Sequence, residues 1–180
     1  MVVDLQPAFS HPGSAWYTPA VAQAAQRIAA LVPLFGERVV FTRFVPPARP
    51  EGSWSRYYDK WSFACDPTAD WLWEVDDPWK GRLSVASHTF SKWAAARHLF
   101  GPEVNVVLCG VSTDCCVLAT ALAAIDEGAH VRVVADACAA KSPRIHEDSL
   151  SLMALRAPLI TIVDSDEEKR RHCQSEQGTS

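Results

Sequence analysis

The sequence predicts an α/β domain of three layers (α/β/α), in which helices cover both faces of a mostly parallel, Rossmann-like central sheet. Segments typical of strands alternate with segments typical of helices along the chain, which is the pattern of strands joined by crossover helices. The strand segments at 104–109 (VNVVLC) and 131–135 (VRVVA) are almost continuously apolar, as expected for strands that are buried on both faces. Residues that directly follow a strand are the functional candidates, because active sites of such folds lie beyond the carboxyl ends of the strands.

The predicted elements have clear boundaries. Thr18-Pro19 is a typical helix start, with threonine as the N-cap and proline at the first helical position, and Gly36 is a typical helix end. In chain order the sequence predicts a short strand at 2–3, a helix at 18–35, strands at 38–44 and 83–86, a helix at 92–100, a strand at 104–109, a helix at 115–127, a strand at 131–135, a helix at 142–156 and a strand at 159–163.

Two segments do not follow this alternation. Residues 45–80 are rich in proline and hold five of the seven tryptophans. A long irregular segment with so many aromatic side chains predicts a packed lid or a subunit interface. The polar residues 166–180 are expected to form a frayed tail. The predicted domain therefore spans residues 1–165.

Composition limits the classes of function. The chain has 180 residues, of which 48% are hydrophobic, and a formal net charge of −4, so we expect one globular domain that binds neither nucleic acid nor anionic membranes. No apolar stretch approaches the ~20 residues that span a bilayer, and the first residues do not resemble a signal peptide. We therefore expect a cytoplasmic protein with reduced thiols and a small-molecule substrate. Without a C-x-x-C motif or a histidine pair at ligand spacing, neither a metal nor another cofactor is expected.

The segment LCGVSTDCCV (108–117) is the most informative part of the chain. In this segment a predicted buried strand is followed by a tight turn and then by a helix. The first turn of that helix exposes backbone N–H groups and carries partial positive charge. A cysteine placed there can become a nucleophilic thiolate, and an oxyanion can bind the same N–H groups. The alternative, two cysteines that merely fill the core, is equally consistent with these residues. The helix face of Cys116 carries smaller side chains than that of Cys115, which favours Cys116 as the exposed thiol, with a pKa below the ~8.5 of a free thiol.

The segment GVSTDCCV (110–117) resembles the nucleophile motif of the isochorismatase-like cysteine hydrolases, which include nicotinamidases, N-carbamoylsarcosine amidases and isochorismatases. Two further segments extend the resemblance over most of residues 1–165. These are VVADAC (133–138), in the next strand, and VDLQPAF (3–9), which is similar to the family's D-x-Q-x-x-F opening.

The resemblance implies the isochorismatase-like hydrolase fold and assigns roles to specific residues. Cys116 corresponds to the nucleophile and Asp4 to the general base. The bond between Val111 and Ser112 corresponds to a cis peptide, with Val111 at the substrate, and the N–H groups of Ser112 and Cys116 would form the oxyanion hole. Family members are commonly dimers or tetramers, so we expect a homo-oligomer.

The sequence departs from the family pattern in three places. Ser87 occupies the position of the family's catalytic lysine. Lys92, five residues further on, could fill that role if the alignment is shifted. Its position is equally consistent with a solvated lysine at the start of a helix. The segment FTRFVPP (41–47) lacks the Asp/His metal ligands of nicotinamidases, which disfavours a metal-dependent enzyme. The first strand is unusually short, so either the true start lies upstream or this strand is frayed.

Four residues are candidates for substrate contact. Phe9 and Trp16 lie close to Asp4 in the chain, and Val111 is implied by the resemblance. Arg43, at a strand end, is suited to bind a substrate carboxylate, although a surface role is equally consistent with its position. Most aromatic side chains of 45–80 are expected to cover the sheet or to form a subunit interface.

Three functions are therefore considered. The first is hydrolysis of a small amide or related C–N bond through a thioester on Cys116. The second is cleavage of a vinyl ether, as in isochorismatases, in which Asp4 donates a proton and no covalent intermediate forms. The third is a non-catalytic member of the family that binds a small molecule or a partner, suggested by the absence of lysine at the expected position.

Overall fold

Six parallel strands form one central sheet, which confirms the predicted fold class. The computed structural model describes residues 1–101 and 104–177. The strands lie in the order β3-β2-β1-β4-β5-β6, so the two-residue β1 occupies the centre. Their bounds are β1 Val2–Val3, β2 Phe41–Phe44, β3 Ser84–Ser87, β4 Asn105–Val111, β5 His130–Ala139 and β6 Ile160–Val163.

Within residues 1–101 and 104–177, seven α-helices connect and cover the strands. They are α1 Pro7–Ser10, α2 Val21–Phe35, α3 Ser53–Lys60, α4 Trp93–Ala96, α5 Leu118–Asp126, α6 Pro143–Ala154 and α7 Ser165–Gln177. Helices α2 and α7 contact each other and β5, whereas α5 contacts both α4 and α6. These two groups supply the helical layers. Among the residues described, no helix is long and apolar enough to cross a membrane.

The first long helix begins later than its capping signal predicts. Thr18 donates its backbone N–H to the carbonyl of Phe9 at 2.8 Å, and helix α2 begins only at Val21. Thr18 therefore ties the chain to the loop after β1 instead of capping the helix, which places the preceding Trp16 near the carboxyl edge of the sheet.

The close fit between β1 and β4 depends on Gly110. This residue has φ 116°, and a Cβ atom there would collide with the backbone of Val3. Only glycine allows the approach, since it has no side chain and tolerates positive φ. The approach brings the loop after β4 beside the loop after β1, so the two sequence motifs meet at one edge of the sheet.

The aromatic segment 45–80 is more regular than expected. It contains helix α3 and two 3-10 helices, Ser62–Cys65 and Pro67–Trp73. The buried Gln6 side chain attaches it to the sheet: Nε2 donates to the carbonyls of Phe44 and Trp73 at 3.0 and 2.8 Å, and Oε1 accepts from the Phe44 N–H at 2.7 Å. These bonds anchor the segment next to the ends of β1 and β2.

The expectation of a frayed tail after residue 165 is wrong, because tertiary contacts hold this segment as helix α7. Glu168 is 1% exposed and accepts two hydrogen bonds from Arg132, at 2.8 and 3.0 Å. Ser165 donates its N–H and its hydroxyl to the Asp136 carboxylate at 2.7 and 2.6 Å. A polar helix can thus be anchored by a few buried polar contacts. Residues 178–180 of the predicted tail lie outside the described part.

Candidate active site

Asp4 lies directly after β1 at the carboxyl edge of the sheet and is fully buried. Its backbone has φ 48°, a conformation that is uncommon for residues other than glycine and typical of constrained sites. Its N–H donates to the carbonyl of Thr42 at 3.2 Å. The Thr42 hydroxyl in turn donates to Asp4 Oδ1 at 2.6 Å. One carboxylate oxygen is therefore fixed by β2, and Oδ2 is left to face the site.

Lys92 reaches this carboxylate from the residue before α4. Its Nζ lies 3.2 Å from Asp4 Oδ2, and both side chains have zero exposure. The same ammonium donates to the Thr89 carbonyl at 2.6 Å, while the backbone N–H of Lys92 donates to Thr120 Oγ1 at 2.9 Å. The interpretation of Lys92 as a solvated lysine is therefore wrong. Ser87, at the expected lysine position, contacts Thr89 instead, at 2.8 Å between hydroxyls.

Burial and the neighbouring groups have opposite effects on the pKa of the Asp4 carboxyl. Burial raises the pKa of the Asp4 carboxyl, whereas the Lys92 charge and hydrogen bonds from Thr42, Cys116 and Lys92 lower it. Burial is the largest of these effects, so the pKa of Asp4 lies above its usual range. A carboxyl of this kind can both accept a proton as the anion and return it as the acid.

The predicted nucleophile loop runs from the end of β4 into α5. The Val111–Ser112 peptide bond is cis, and Thr113–Val117 forms a single π-helical turn before α5 begins. Within the loop the N–H groups of Cys115 and Val117 both donate to the Ser112 carbonyl at 3.1 Å. Ser112 and Cys116, the two predicted oxyanion donors, are thus held on one closed turn at the start of a helix.

The two cysteines differ from expectation in exposure and acidity. Cys116 is 3% exposed and Cys115 is half-buried, so the prediction that Cys116 is the exposed thiol is wrong. A hydrogen bond with Cys115, burial and the nearby Asp4 carboxylate raise the pKa of Cys116 well above its ordinary value. The same hydrogen bond lowers the pKa of Cys115. The environment of the buried Cys116 side chain therefore favours its neutral thiol form over the thiolate.

A cluster of aromatic side chains lies next to the site. Trp16 occupies its centre and contacts six rings, with centroid distances from 5.2 to 6.1 Å. Burial and the neighbouring Cys115 and Cys116 raise the pKa of Tyr57 to about 12, which places this phenol beside the thiols. The six rings are Phe9, Phe44, Tyr57, Trp61, Phe63 and Trp73. Phe9 and Trp16 therefore lie in the wall around the site.

Arg43 and Val111, two of the predicted substrate contacts, have well-defined surroundings. Arg43 lies on the opposite face of β2 from Thr42 and Phe44, because successive side chains of a strand alternate. Its guanidinium contacts the Trp73 carbonyl and Glu74, at 3.4 and 3.5 Å, and its assignment to a substrate carboxylate stays a prediction. The Val111 side chain is fully buried, as is that of Asp4, and its contact with substrate likewise stays a prediction.

Sequence reasoning missed three residues of the site. Thr42 fixes the Asp4 carboxylate, the Phe44 ring lies 4.6 Å from Lys92 Nζ, and Tyr57 is close enough to the two thiols for them to raise its pKa. Because side chains alternate along the strand FTRF (41–44), Thr42 and Phe44 lie on the same face. This pattern could have identified both as candidates for the site. Tyr57 had no comparable signal, since it was one of many aromatic residues in an irregular segment.

The residues after β2 contain none of the side chains that bind metals in nicotinamidases, as the sequence indicated. They are Val45-Pro46-Pro47, which contribute neither a carboxylate nor an imidazole. In the described part of the chain, no group of three or more His, Cys, Asp or Glu side chains is arranged to hold a metal ion.

The chain is similar to known proteins over most of its length. A family model described as the isochorismatase domain matches residues 1–167. Among curated proteins, the isochorismatase domain-containing protein 2 of Xenopus laevis is 40% identical over 57 residues, 32% of this chain and 28% of that protein. The matched segment therefore covers less than a third of that relative.

Solved structures agree in fold. A cysteine hydrolase from Pseudomonas syringae pv. phaseolicola superposes with a TM-score of 0.80 at 20% identity, over 96% of this chain and 91% of that one. The N-carbamoylsarcosine amidase of Thermoplasma acidophilum superposes with a TM-score of 0.68 at 23% identity, over 92% and 94%. At this level of identity the likeness shows the fold alone.

Proposed function

The chain belongs to the isochorismatase family of hydrolases, and on this premise we propose that it cleaves a small amide or related C–N bond through a thioester on Cys116. The observation that carries the proposal is the buried ion pair between Asp4 and Lys92, 3.2 Å apart, with the buried Cys116 thiol close enough to the same carboxylate for each group to shift the pKa of the other. Acid, base and nucleophile are thereby supplied within one enclosed site.

The first half of the reaction forms the thioester. Asp4 Oδ2 accepts the Cys116 proton as sulfur attacks the substrate carbonyl carbon. The carbonyl π electrons move to oxygen, and the resulting oxyanion accepts hydrogen bonds from the N–H groups of Ser112 and Cys116. Proton transfer accompanies attack, because the resting thiol has a raised pKa. The C–N bond then breaks, and Asp4 gives its proton to the leaving nitrogen.

The second half consumes water and restores the enzyme. Asp4, again the anion, removes a proton from a water molecule that attacks the thioester carbonyl. The C–S bond breaks, the carboxylic acid leaves, and the Cys116 sulfur recovers its proton from Asp4. The net reaction converts amide and water to acid and amine. Lys92 keeps its charge throughout and favours the anionic form of Asp4 each time a proton must be accepted.

The direct test combines product release with capture of the intermediate. A panel of small uncharged amides is assayed for ammonia or amine release, and acid-quenched samples are analysed by peptide mass spectrometry. We expect the acyl mass on the peptide that contains Cys116, and its removal by hydroxylamine. Turnover with no acyl adduct on Cys116, under conditions in which acylation is faster than deacylation, would contradict the covalent mechanism.

Vinyl-ether cleavage remains the second candidate, and one observation favours it. The pKa of Asp4 is raised by burial, which suits a proton donor, and the neutral Cys116 thiol is not needed as a nucleophile in that reaction. The non-catalytic alternative was suggested by the missing lysine. The position of Lys92 beside Asp4 removes that reason.

The proposal predicts the low-pH limb of the rate profile. Asp4 must be anionic to accept the thiol proton, so kcat/KM should rise as pH passes upward through the Asp4 pKa. The Thr42 hydrogen bond lowers that pKa, and Thr42→Val should therefore move the limb to higher pH. Thr161→Val, the same substitution in the distant strand β6, should leave the limb in place. A limb that does not move in Thr42→Val would mean that Asp4 is not the titrating base.

A further inference from the structure

The nucleophile loop is tied to helix α6 by one side-chain hydrogen bond. Thr113 follows Ser112 at the start of the π-helical turn and is fully buried. Its Oγ1 lies 2.9 Å from His146 Nδ1. This bond joins two segments that are 33 residues apart in the chain, and it attaches at the point where the cis peptide meets the helix.

Helix α6 is a well-anchored partner for such a bond. Its N-cap Ser142 accepts from the Ile145 N–H at 3.3 Å, and Ser149 donates to the Ile145 carbonyl at 2.6 Å. The helix contacts β6 and the π-helical turn. His146 is therefore carried by a regular helix that packs on β6 as well as on the loop, and its imidazole can hold Thr113 in place.

The position of Thr113 determines where the predicted oxyanion donors point. Ser112 is its direct neighbour, and Cys116 lies within the same turn. Both N–H groups must be aimed at the developing oxyanion to within a few tenths of an ångström. The Ser112 hydroxyl does not assist here, since it donates to Asp114 Oδ1 at 2.7 Å. The Thr113–His146 bond joins a side chain of this segment to helix α6, whereas the Ser112–Asp114 bond lies within the segment.

We infer that His146 is a positioning residue, which holds the oxyanion-binding loop through Thr113 without touching the substrate. The inference rests on the proposed function, because the oxyanion hole is part of that mechanism. His146 acts in this role as a hydrogen-bond partner rather than as a proton carrier. An asparagine can place a polar atom near the position of Nδ1, whereas a leucine of similar bulk cannot.

The test compares His146→Leu, His146→Asn and Thr113→Val with the wild type. Rates are divided by the concentration of folded protein, determined by circular dichroism, so that unfolded protein does not lower the apparent kcat. We expect His146→Leu and Thr113→Val each to lower kcat by about 10- to 100-fold, with KM changed less than about threefold, since the loop acts mainly in the transition state. His146→Asn should recover most of kcat. The double variant His146→Leu/Thr113→Val should be no slower than the slower single variant.

Hydrogen–deuterium exchange separates this inference from the proposed reaction. Exchange of the peptide 110–118 should accelerate equally in His146→Leu and Thr113→Val, and remain as in the wild type in His146→Asn. Ser149→Ala, which perturbs α6 but not the bond to Thr113, is the matched control and should leave this peptide unchanged. If the wild type shows no amidase activity, the proposed reaction fails while exchange still tests the positioning. Wild-type exchange in His146→Leu, or rate losses that multiply in the double variant, would overturn the inference.

Discussion

Cys116→Ala is expected to abolish amide hydrolysis, with kcat lowered by about 10⁴-fold or more, as for other nucleophiles whose removal leaves only binding and oxyanion stabilisation. The reason is geometric. The buried Cys116 thiol lowers the pKa of the Asp4 carboxyl, and that carboxylate raises the pKa of Cys116, so Cys116 is the sulfur that we expect this base to deprotonate. The measurement is amine release under single-turnover conditions with purified, folded variant.

The neighbouring cysteine is the matched control for this experiment. Cys115→Ala removes an adjacent thiol of the same size, and we expect it to retain activity within about tenfold, since Cys115 is half-buried at the edge of the site. Because its hydrogen bond raises the pKa of Cys116, its removal should make Cys116 easier to ionise. Full activity in Cys116→Ala would refute covalent catalysis. Activity of that variant toward vinyl ethers, lost in Asp4→Asn, would establish the second candidate reaction.

Lys92→Met is expected to have the largest effect on stability, lowering the free energy of unfolding by about 3–5 kcal/mol. The substitution leaves the Asp4 carboxylate without its counter-charge in a fully buried position, and the desolvation cost of that charge is then uncompensated. The pKa of Asp4 should rise, because the Lys92 charge is one of the effects that lower it. Urea denaturation at neutral pH measures the loss, and the rate of amide hydrolysis should fall along with it.

Two further variants distinguish the buried pair from an ordinary salt bridge. In Asp4→Asn/Lys92→Met neither charge remains, so the double variant should be more stable than Lys92→Met alone. Lys80→Met removes an exposed lysine whose Nζ lies 3.6 Å from Asp77, and should leave the denaturation midpoint almost unchanged. Additive losses in the double variant, or equal losses in Lys92→Met and Lys80→Met, would show that the two buried charges are not coupled.

Most of the architecture could be predicted from local patterns. The apolar runs around Val106 and Val133 predict strands that are buried on both faces, as in a parallel sheet. Periodic apolar residues followed by glycine predict the helices and where they end. Both signals lie in residues that are adjacent in the chain. The motif from Gly110 to Val117 likewise located the loop that carries the candidate nucleophile. Helix α7 was missed because its anchors, Glu168 to Arg132 and Ser165 to Asp136, are contacts between distant segments that no local pattern reveals.

By itself, the amino-acid sequence determined the family, the order of the strands and helices, and the identity of the two motifs around Asp4 and Cys116. Only the tertiary structure decided that Lys92 lies against Asp4, that Cys116 is the buried thiol of its pair, and that the Arg43 guanidinium contacts Glu74. The physical reason is that periodicity states which face a side chain occupies, whereas distances across the site depend on how separate elements pack. Lys92 meets Asp4 because the residue before α4 is held by Thr120 of α5, a contact made only when β1, β4 and their helices have assembled.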